Sequence, residues 1–271
     1  MVKILTNAND YIDFINQISG DPNFSNPTLF NKEQIQKYFL NPPNKPSQKI
    51  WGIFEEEKIT GLFAFLILED ESYIEMLAGL SCTLKAYEEM LSFLKETYKN
   101  YQVDFVYNPN NHLLHNLLRR EKSEFYAEQQ KMTLKRDVSY ESDRQIELYT
   151  PKYREKYISI HRDDGYWTAN KIIDEPDRFR IILAIENNEV VGYIDVTYNY
   201  DENQPFDVFV KEEYRKKGYG KAMLAKAIEL NKSKDMMLLV DIDNTPAIAL
   251  YESLGFVKSV GENSVTAHVL L

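Results

Sequence analysis

Two apolar strands joined by an acidic turn occur twice in the chain. Residues 50–65 have the sequence IWGIFEEEKITGLFAF, and residues 181–196 have the sequence IILAIENNEVVGYIDV. Apolar runs on both sides of a short polar turn are typical of a β-hairpin. Gly61 and Gly192 occupy the same place in the second strand of each hairpin, 131 residues apart. The pattern therefore predicts a tandem repeat.

The helical segments extend this repeat. Residues 87–99 correspond to residues 220–232, and residues 104–114 correspond to residues 238–248. Each half is predicted to have a short first strand, one or two helices, the hairpin, a further strand, a helix, a strand, a helix and closing strands. This order predicts an α/β fold with two similar domains, each a central mixed β-sheet flanked by helices.

The domain boundary is predicted from a polar segment. Residues 135–145 are rich in charge and lack apolar periodicity. We place the boundary near Tyr140, which gives domains 1–139 and 140–271. The Asn- and Pro-rich run 41–47 is predicted to be a loop within the first domain, because a hairpin strand follows it directly.

Composition narrows the classes of function. The chain has 271 residues, so two domains are the ordinary expectation. Its formal charge of -10 would repel a phosphate backbone, so nucleic acid is not an expected partner. An apolar run long enough to span a bilayer and a signal sequence are both lacking, and the single cysteine, Cys82, cannot form an internal disulfide. We expect a cytoplasmic protein that does not bind membranes.

A basic, glycine-containing segment carries the first chemical signal. Residues 206–231 predict a strand, a loop and the start of an amphipathic helix, with Gly218 and Gly220 at the helix start. Glycines let the backbone approach a ligand closely, and free N–H groups at a helix start attract phosphate. The segment is not a Walker A loop, because Ala222 replaces the hydroxyl residue, and Met223 replaces the last glycine of a dinucleotide-binding motif.

Two motifs in this half resemble those of the GNAT superfamily of N-acetyltransferases. Residues 215–222, RKKGYGKA, resemble its R/Q-x-x-G-x-G/A loop. Residues 244–256, NTPAIALYESLGF, resemble its second motif, N-x-x-A-x-x-L-Y-x-x-x-G-F. Because both motifs occur in the expected order, the C-terminal half is identified as a member of this superfamily, which implies acetyl-CoA as co-substrate.

The resemblance also implies which residues bind acetyl-CoA. Backbone of the fourth strand would pair with the pantetheine, the loop would bind the pyrophosphate, and Asn244 and Tyr251 would lie near the pantetheine and the thioester sulfur. The strand and loop residues concerned are Val208, Phe209, Val210, Arg215, Lys216, Lys217, Gly218, Tyr219, Gly220 and Lys221. We further expect the Tyr251 hydroxyl to protonate the departing thiolate.

The general base is not fixed by the motifs. The acceptor must attack as a neutral amine, although an alkyl ammonium has a pKa near 10.4. Family members that carry a base on the fourth strand usually present Glu, whereas this chain has Gln204 at the position that we align. Asp207 and Glu202 are the candidate bases, with a solvated or structural role as the alternative for each.

The four histidines do not predict a metal site. His112 and His115 share a helix face but lack a third ligand nearby in the sequence, and His161 and His268 are isolated in the sequence. No metal is therefore expected.

The N-terminal half departs from the motifs. It has no basic glycine-rich loop between Gly79 and Tyr87, and Leu117 is aligned with Tyr251. We therefore expect the same fold without a pyrophosphate site. In the C-terminal half, Tyr166 and Trp167 occupy a segment where related folds contact substrate, and ordinary packing is the alternative.

Three hypotheses follow for the whole chain. The first is an acetyl-CoA-dependent N-acetyltransferase that acts on a primary amine of a small molecule or peptide. The second is a catalytically weak sensor or scaffold that binds acyl-CoA, and the third is a structural tandem domain without a ligand. The residues do not identify the acceptor or the oligomeric state.

Overall fold

The computed structural model describes residues 1–25, 32–42, 46–136, 140–163 and 167–271. The strands are β1 (Val2–Leu5), β2 (Gln48–Glu55), β3 (Lys58–Leu68), β4 (Tyr73–Ser81), β5 (Gln102–Tyr107), β6 (Glu124–Phe125), β7 (Gln129–Leu134), β8 (Gln145–Leu148), β9 (Phe179–Glu186), β10 (Glu189–Thr197), β11 (Glu202–Asn203), β12 (Pro205–Val210), β13 (Asp235–Asp241), β14 (Phe256–Lys258) and β15 (Val265–Leu270). The α-helices are α1 (Ile12–Ile18), α2 (Lys32–Ile35), α3 (Leu84–Thr97), α4 (His112–Arg120), α5 (Arg154–Ile158), α6 (Ala169–Asp174), α7 (Tyr219–Leu230) and α8 (Thr245–Glu252). Within the described ranges, no helix is long and apolar enough to cross a bilayer.

The chain divides into two compact units. The first contains residues 1–130 and 260–271, and the second contains residues 131–259. This division differs from the predicted single boundary near Tyr140, because residues 260–271, with the last strand, belong to the first unit. The last strand, β15, pairs with β5 and β6 of the first unit, whereas β7 pairs with β14 of the second unit.

The first unit is a mixed sheet with helices packed against it. Its strand order is β1-β2-β3-β4-β5-β15-β6. One face is covered by α3 and α4, and its core includes Trp51, Phe63 and Phe105. Each of these helices begins at a side-chain cap: Thr83 accepts the N–H of Ala86 for α3, and Asn111 accepts the N–H of Leu114 for α4.

The second unit contains two sheets. One has the order β12-β10-β9-β8, and the other has the order β11-β13-β7-β14. Apolar side chains of α7, among them Met223, pack against one face of the first of these sheets. The opposite face is covered by α5 and α6, where Tyr157 and Ile172 are buried against Leu183. The sheet therefore separates two chemically different sides.

Both predicted hairpins are present, as β2–β3 and β9–β10. Their turns contain two left-handed residues each, Glu56 and Glu57 in the first and Asn187 and Asn188 in the second. Consecutive left-handed residues are the geometry of the tight hairpin turn that suits the twist of antiparallel strands. The predicted mixed α/β fold, with a sheet and flanking helices in each half, is confirmed.

Gly192 lies in β10 beside the backbone of β12. It is paired with Val210, and the pairing of β10 with β9 shifts register between Val190 and Gly192. A Cβ atom at this position would lie 2.7 Å from the carbonyl oxygen of Phe209, which is backbone and has little freedom to move. Glycine is therefore required here by steric contact with the neighbouring strand.

We predict that Gly192→Ala destabilises the chain by about 1–3 kcal/mol, the range typical of overpacked sites. The matched control is Gly220→Ala, because a Cβ at Gly220 meets Leu250 at an ordinary 3.6 Å. Urea denaturation of both variants measures the difference. A Gly192→Ala protein as stable as wild type would contradict the steric argument.

Candidate active site

The loop after β12 turns sharply into α7. Lys216 and Gly218 have left-handed backbone angles, with φ of 58° and 87°. Gly218 is the N-cap of α7, and among the described residues no side chain caps this helix. Its first N–H groups thus remain available to another acceptor, and the helix dipole favours an anion there. The phosphate-binding role of the loop stays a prediction.

The basic side chains of the loop are only weakly held. The Nε of Arg215 donates a hydrogen bond to the carbonyl oxygen of Val210 at 3.1 Å. Lys217 lies over the ring of Tyr214, and Lys221 lies over the ring of Tyr140. The partners in these three contacts are a carbonyl group and two aromatic rings, not carboxylates. The cationic groups therefore add positive charge near the helix N-terminus, where the loop would bind pyrophosphate.

The strand β12 lies at the edge of its sheet. Val208, Phe209 and Val210 pair with β10 on one side. In the strand order of the described residues, β13 belongs to the other sheet, so β12 has no strand neighbour on its second side. Backbone N–H and C=O groups on such an edge are free to pair with an extended ligand.

The second motif forms α8 as its sequence predicts. Asn244 is the N-cap and its side-chain oxygen accepts the N–H of Ala247 at 3.2 Å, while Gly255 has a left-handed φ of 89° beyond the helix end. The Asn244 side chain therefore has a structural function in the helix. Tyr251 projects from the same helix and packs edge to face with Phe256 at 6.0 Å.

Tyr251 and Asp207 lie close enough to interact. Burial raises the pKa of Tyr251 to about 12, and the negative charge of Asp207 contributes to this rise. The phenol is therefore protonated at neutral pH and is a proton donor. The catalytic roles of Tyr251 and Asp207 stay predictions.

Glu202 lies in a different setting. It is on β11, paired with Asp235 of β13, and it forms an ion pair with Lys131 at 3.9 Å. Asp207, in contrast, lies on β12, in the other sheet. The ion pair and the position on a separate sheet favour a structural role for Glu202.

A buried polar cluster lies on the α5 side of β10, and the sequence did not reveal it. The carboxyl group of Asp195 is fully buried and accepts a hydrogen bond from the hydroxyl of Tyr157 at 2.8 Å. The Nε2 atom of His161 lies 3.1 Å from the other oxygen of Asp195, and its Nδ1 atom lies 2.6 Å from Asp163. His161, isolated in the sequence, therefore lies between two carboxylates.

Asp207 belongs to the same cluster. It accepts a hydrogen bond from the hydroxyl of Tyr193 at 2.6 Å and an ion pair from Arg162. One carboxylate oxygen of Asp207, one ring nitrogen of His161 and one carboxylate oxygen of Asp195 all lie within 4.8 Å of one another. Because Asp195 and Asp207 are directly paired across β10 and β12, both side chains point to the same face of the sheet.

The protonation of this cluster is shifted from ordinary values. Burial raises the pKa of Asp195 to about 6, and the hydrogen bonds from His161 and Tyr157 offset this only in part. Burial lowers the pKa of His161, but the hydrogen bonds and charges of Asp195 and Asp163 outweigh it, so the pKa is raised overall. The pair of Asp195 and His161 therefore holds a proton more strongly than the separate side chains would.

One signal in the sequence could have found this cluster. Asp195 is the one charged residue of the run VVGYIDVTY, in the interior of a strand where its immediate neighbours are Ile194 and Val196. Charged side chains are rarely buried without partners, so such a residue marks a site. Its partners, Tyr157 and His161, lie more than thirty residues earlier, and only the fold brings them together.

The other sequence predictions have mixed outcomes. Trp167 packs edge to face on Phe179 at 4.9 Å and under the guanidinium of Arg178, which is ordinary aromatic packing. Tyr166 lies outside the described residues. In the first unit, the cap Asn111 corresponds to Asn244, so the residue equivalent to Tyr251 is the buried Leu118 and not Leu117. The absence of a phenol there is unchanged by this correction.

We predict that Asp195 contributes a fall in stability as the pH rises from its ordinary pKa of 3.8 to about 6. A carboxyl group with a folded-state pKa above its unfolded value stabilises the fold below the unfolded value and loses this contribution as the pH rises. The raised pKa of His161 acts in the same direction. From a rise of about 2 pKa units, the contribution of Asp195 is roughly 3 kcal/mol. Asp195→Asn should flatten the pH dependence of the urea midpoint, whereas Asp235→Asn, at an exposed position of β13, should not. Parallel profiles for wild type and Asp195→Asn would contradict this.

Comparison with known proteins places this geometry in a family. Residues 143–256 match the Acetyltransferase (GNAT) family. The chain is 28% identical over 114 residues to the mycothiol acetyltransferase of Corynebacterium glutamicum (strain R), which covers 39% of this chain and 38% of that protein. It is 28% identical over 123 residues to an uncharacterized N-acetyltransferase of Methanocaldococcus jannaschii, which covers 41% of this chain and 54% of that protein. The matches thus span about half or less of each relative.

The fold comparison extends over the whole chain. A tandem GNAT protein from the clavulanic acid biosynthesis pathway aligns with 100% of this chain and 98% of its own, with a TM-score of 0.56 and 10% identity. At this identity the likeness concerns the fold alone. The family match, by contrast, spans both sequence motifs, residues 215–222 and 244–256. Residues 143–256 are therefore a GNAT acetyltransferase domain.

Proposed function

We propose that this chain is an acetyl-CoA-dependent N-acetyltransferase that acetylates a primary amine of a small molecule or peptide. The observation that carries the proposal is the uncapped start of α7 with its basic loop, which follows directly after β12, a strand whose outer edge is free among the described residues. In the same unit, Tyr251 of α8 supplies a proton donor and Asp207 of β12 supplies a carboxylate. This is the set of groups that acyl transfer from a phosphorylated thioester to an amine requires.

The residues of the second unit fit acetyl-CoA. The N–H groups at the start of α7, together with Arg215, Lys216, Lys217 and Lys221, would hold the pyrophosphate, and the free edge of β12 would pair with the pantetheine. Bound there, acetyl-CoA supplies an activated acyl thioester. In the first unit, the corresponding helix α3 differs at its start, because Thr83 caps it with its own side chain. We propose that the co-substrate binds the second unit only.

Asp207 is the residue that we assign to the acceptor amine. Its side chain is 16% exposed, and its partners Arg162 and Tyr193 hold the carboxylate in a fixed position. A carboxylate there would bind the ammonium form and accept its proton, so that the neutral amine attacks. Glu202 is not proposed as a base, because its ion pair with Lys131 is on the other sheet.

Tyr251 is the residue that we assign to the leaving group. Its raised pKa keeps the hydroxyl protonated, so it donates a proton to sulfur as charge develops there. An interaction that strengthens as the thiolate forms lowers the barrier more than it lowers the energy of the bound ground state. A cytoplasmic location stays a prediction from the sequence.

The direct test has two parts. Calorimetric titration measures binding of acetyl-CoA, and release of thiol in the presence of a panel of primary amines measures turnover. We expect both. Binding without turnover on any amine would favour the sensor or scaffold hypothesis, and absence of binding would overturn the proposal as a whole.

We predict that Gly220→Val weakens binding of acetyl-CoA by about 10-fold or more, because a branched side chain at the second residue of α7 blocks approach of the pyrophosphate to the backbone. The Cβ itself meets only ordinary contacts, so the variant should fold. Calorimetry gives the dissociation constant. An unchanged constant in a folded variant would remove Gly220 from the binding site.

We predict the opposite result for Tyr251→Phe, which serves as the matched control for binding. This variant should bind acetyl-CoA with nearly normal affinity, because it keeps the ring and its packing against Phe256. Its kcat should fall by about 10²-fold or more when chemistry limits turnover. If single-turnover acetylation by the variant equals that of wild type, Tyr251 is a packing residue.

A further inference from the structure

We infer that Asp195, His161 and Asp163 form a proton exit chain that carries the proton released by the acceptor amine from Asp207 to solvent. The inference rests on the proposed function, because it concerns the fate of a proton that only an amine acceptor releases. The three residues are positioning residues: they act through Asp207 and are not expected to touch the acceptor.

The proton exit chain runs from the interior of the second unit to its surface. The side chain of Asp195 is 0% exposed, that of His161 is 1% exposed and that of Asp163 is 45% exposed. His161 joins the two carboxylates through its two ring nitrogens, at 3.1 Å and 2.6 Å. An imidazole held in this way accepts a proton on one nitrogen and releases another from the second nitrogen. The three side chains thus form a path for a proton, with one end buried and the other end exposed to solvent.

The geometry also explains why this histidine is a good proton acceptor. Neutral imidazole has one N–H group, so one ring nitrogen must turn a lone pair toward a carboxylate oxygen when both carboxylates are ionised. Protonation converts this repulsive contact into a charge-assisted hydrogen bond. His161 is therefore a stronger base than a free imidazole, in agreement with its raised pKa.

The buried end of the chain lies next to Asp207. A carboxylate oxygen of Asp207 lies within 4.8 Å of a carboxylate oxygen of Asp195 and of a ring nitrogen of His161. One water molecule can bridge this distance. The other ionisable groups that face His161 are Tyr157 from α5, Tyr193 from β10 and Arg162 from its own loop. Both tyrosines donate to carboxylates, which leaves His161 as the group that can receive the proton.

The same atoms could be read as a metal site, but the contacts favour proton transfer. Asp207 already has a cationic partner in Arg162 and a donor in Tyr193, and Asp195 has a donor in Tyr157. A divalent ion would have to displace these groups. The exit chain uses them as they stand.

The proton balance of the reaction requires such a path. Acetylation converts an ammonium and a thioester into an amide, a thiol and one free proton. The first N–H bond of the ammonium breaks and its proton passes to Asp207, through Asp195 and His161, and leaves from Asp163. The nitrogen lone pair then forms the C–N bond and the C–S bond breaks. The thiolate takes a proton from Tyr251, and the second proton of the nitrogen replaces it on the Tyr251 oxygen.

The test compares the pH dependence of kcat/KM in wild type and variants. In wild type, kcat/KM should rise with pH and level off with an apparent pKa above the ordinary 6.5 of histidine. His161→Gln should lower kcat/KM by about 10²-fold and remove this rise. Asp163→Asn, at the exposed end, keeps an oxygen for the N–H of Ala169 and should shift the rise to lower pH. The matched control is His268→Gln, because His268 forms a similar pair with Asp104 at 2.7 Å in the first unit.

Chemical rescue separates proton transfer from a structural role. Added imidazole should restore turnover to His161→Ala, whereas pyrazole, a ring of the same size and a much weaker base, should not. Equal rescue by both rings, or a His161→Gln profile that keeps the wild-type rise, would overturn the exit chain while the acetyltransferase proposal stands. Loss of wild-type activity on treatment with a chelator would overturn it in favour of a metal site. A wild type that acetylates no amine would overturn both proposals.

Discussion

Burial of the Asp195 carboxyl group is the constraint around which the acceptor side of the second unit is built. A charge or a polar group in the middle of an apolar strand is costly unless it is paired and hydrogen-bonded. Tyr157 from α5 and His161 from the following loop satisfy it, and this fixes the loop against the sheet. The backbone N–H of Arg162 then donates to Tyr193, which in turn holds Asp207. A single buried carboxyl group thus positions the surroundings of the proposed base.

The sheet keeps the two halves of the proposed chemistry apart. Val208 and Val210 of β12 pack toward α7 and the basic loop, whereas Asp207 and Phe209 face the aromatic cluster of Tyr157 and Tyr193. Alternation along one strand is sufficient for this, because successive side chains point to opposite faces. The side proposed to bind phosphate and the side proposed to transfer protons can then differ in polarity, and both adjoin the strand β12.

Much of the fold and half of the site follow from local sequence. The hairpins, the helix caps and the glycine positions are visible because each depends on a few neighbouring residues, as at Gly218 and Asn244. The partners of Asp195 are not visible, because no local rule relates a residue of β10 to α5. The partner strands of β7 and β15 are not predicted for the same reason. The sequence of a short strand shows which of its side chains are buried, but it does not show which strand pairs with it.

The exchanged closing strands bear on how the chain is made. Within the described residues, β6 joins the first sheet through β15, which is synthesised after the strands and helices of the second unit. Until β15 is synthesised, β5 has no neighbour on the side where β15 pairs with it. An unpaired strand edge can pair with another nascent chain. A gene cut between the two units would leave each product short of one strand. The repeat that looks separable in the sequence is therefore not separated by a single cut.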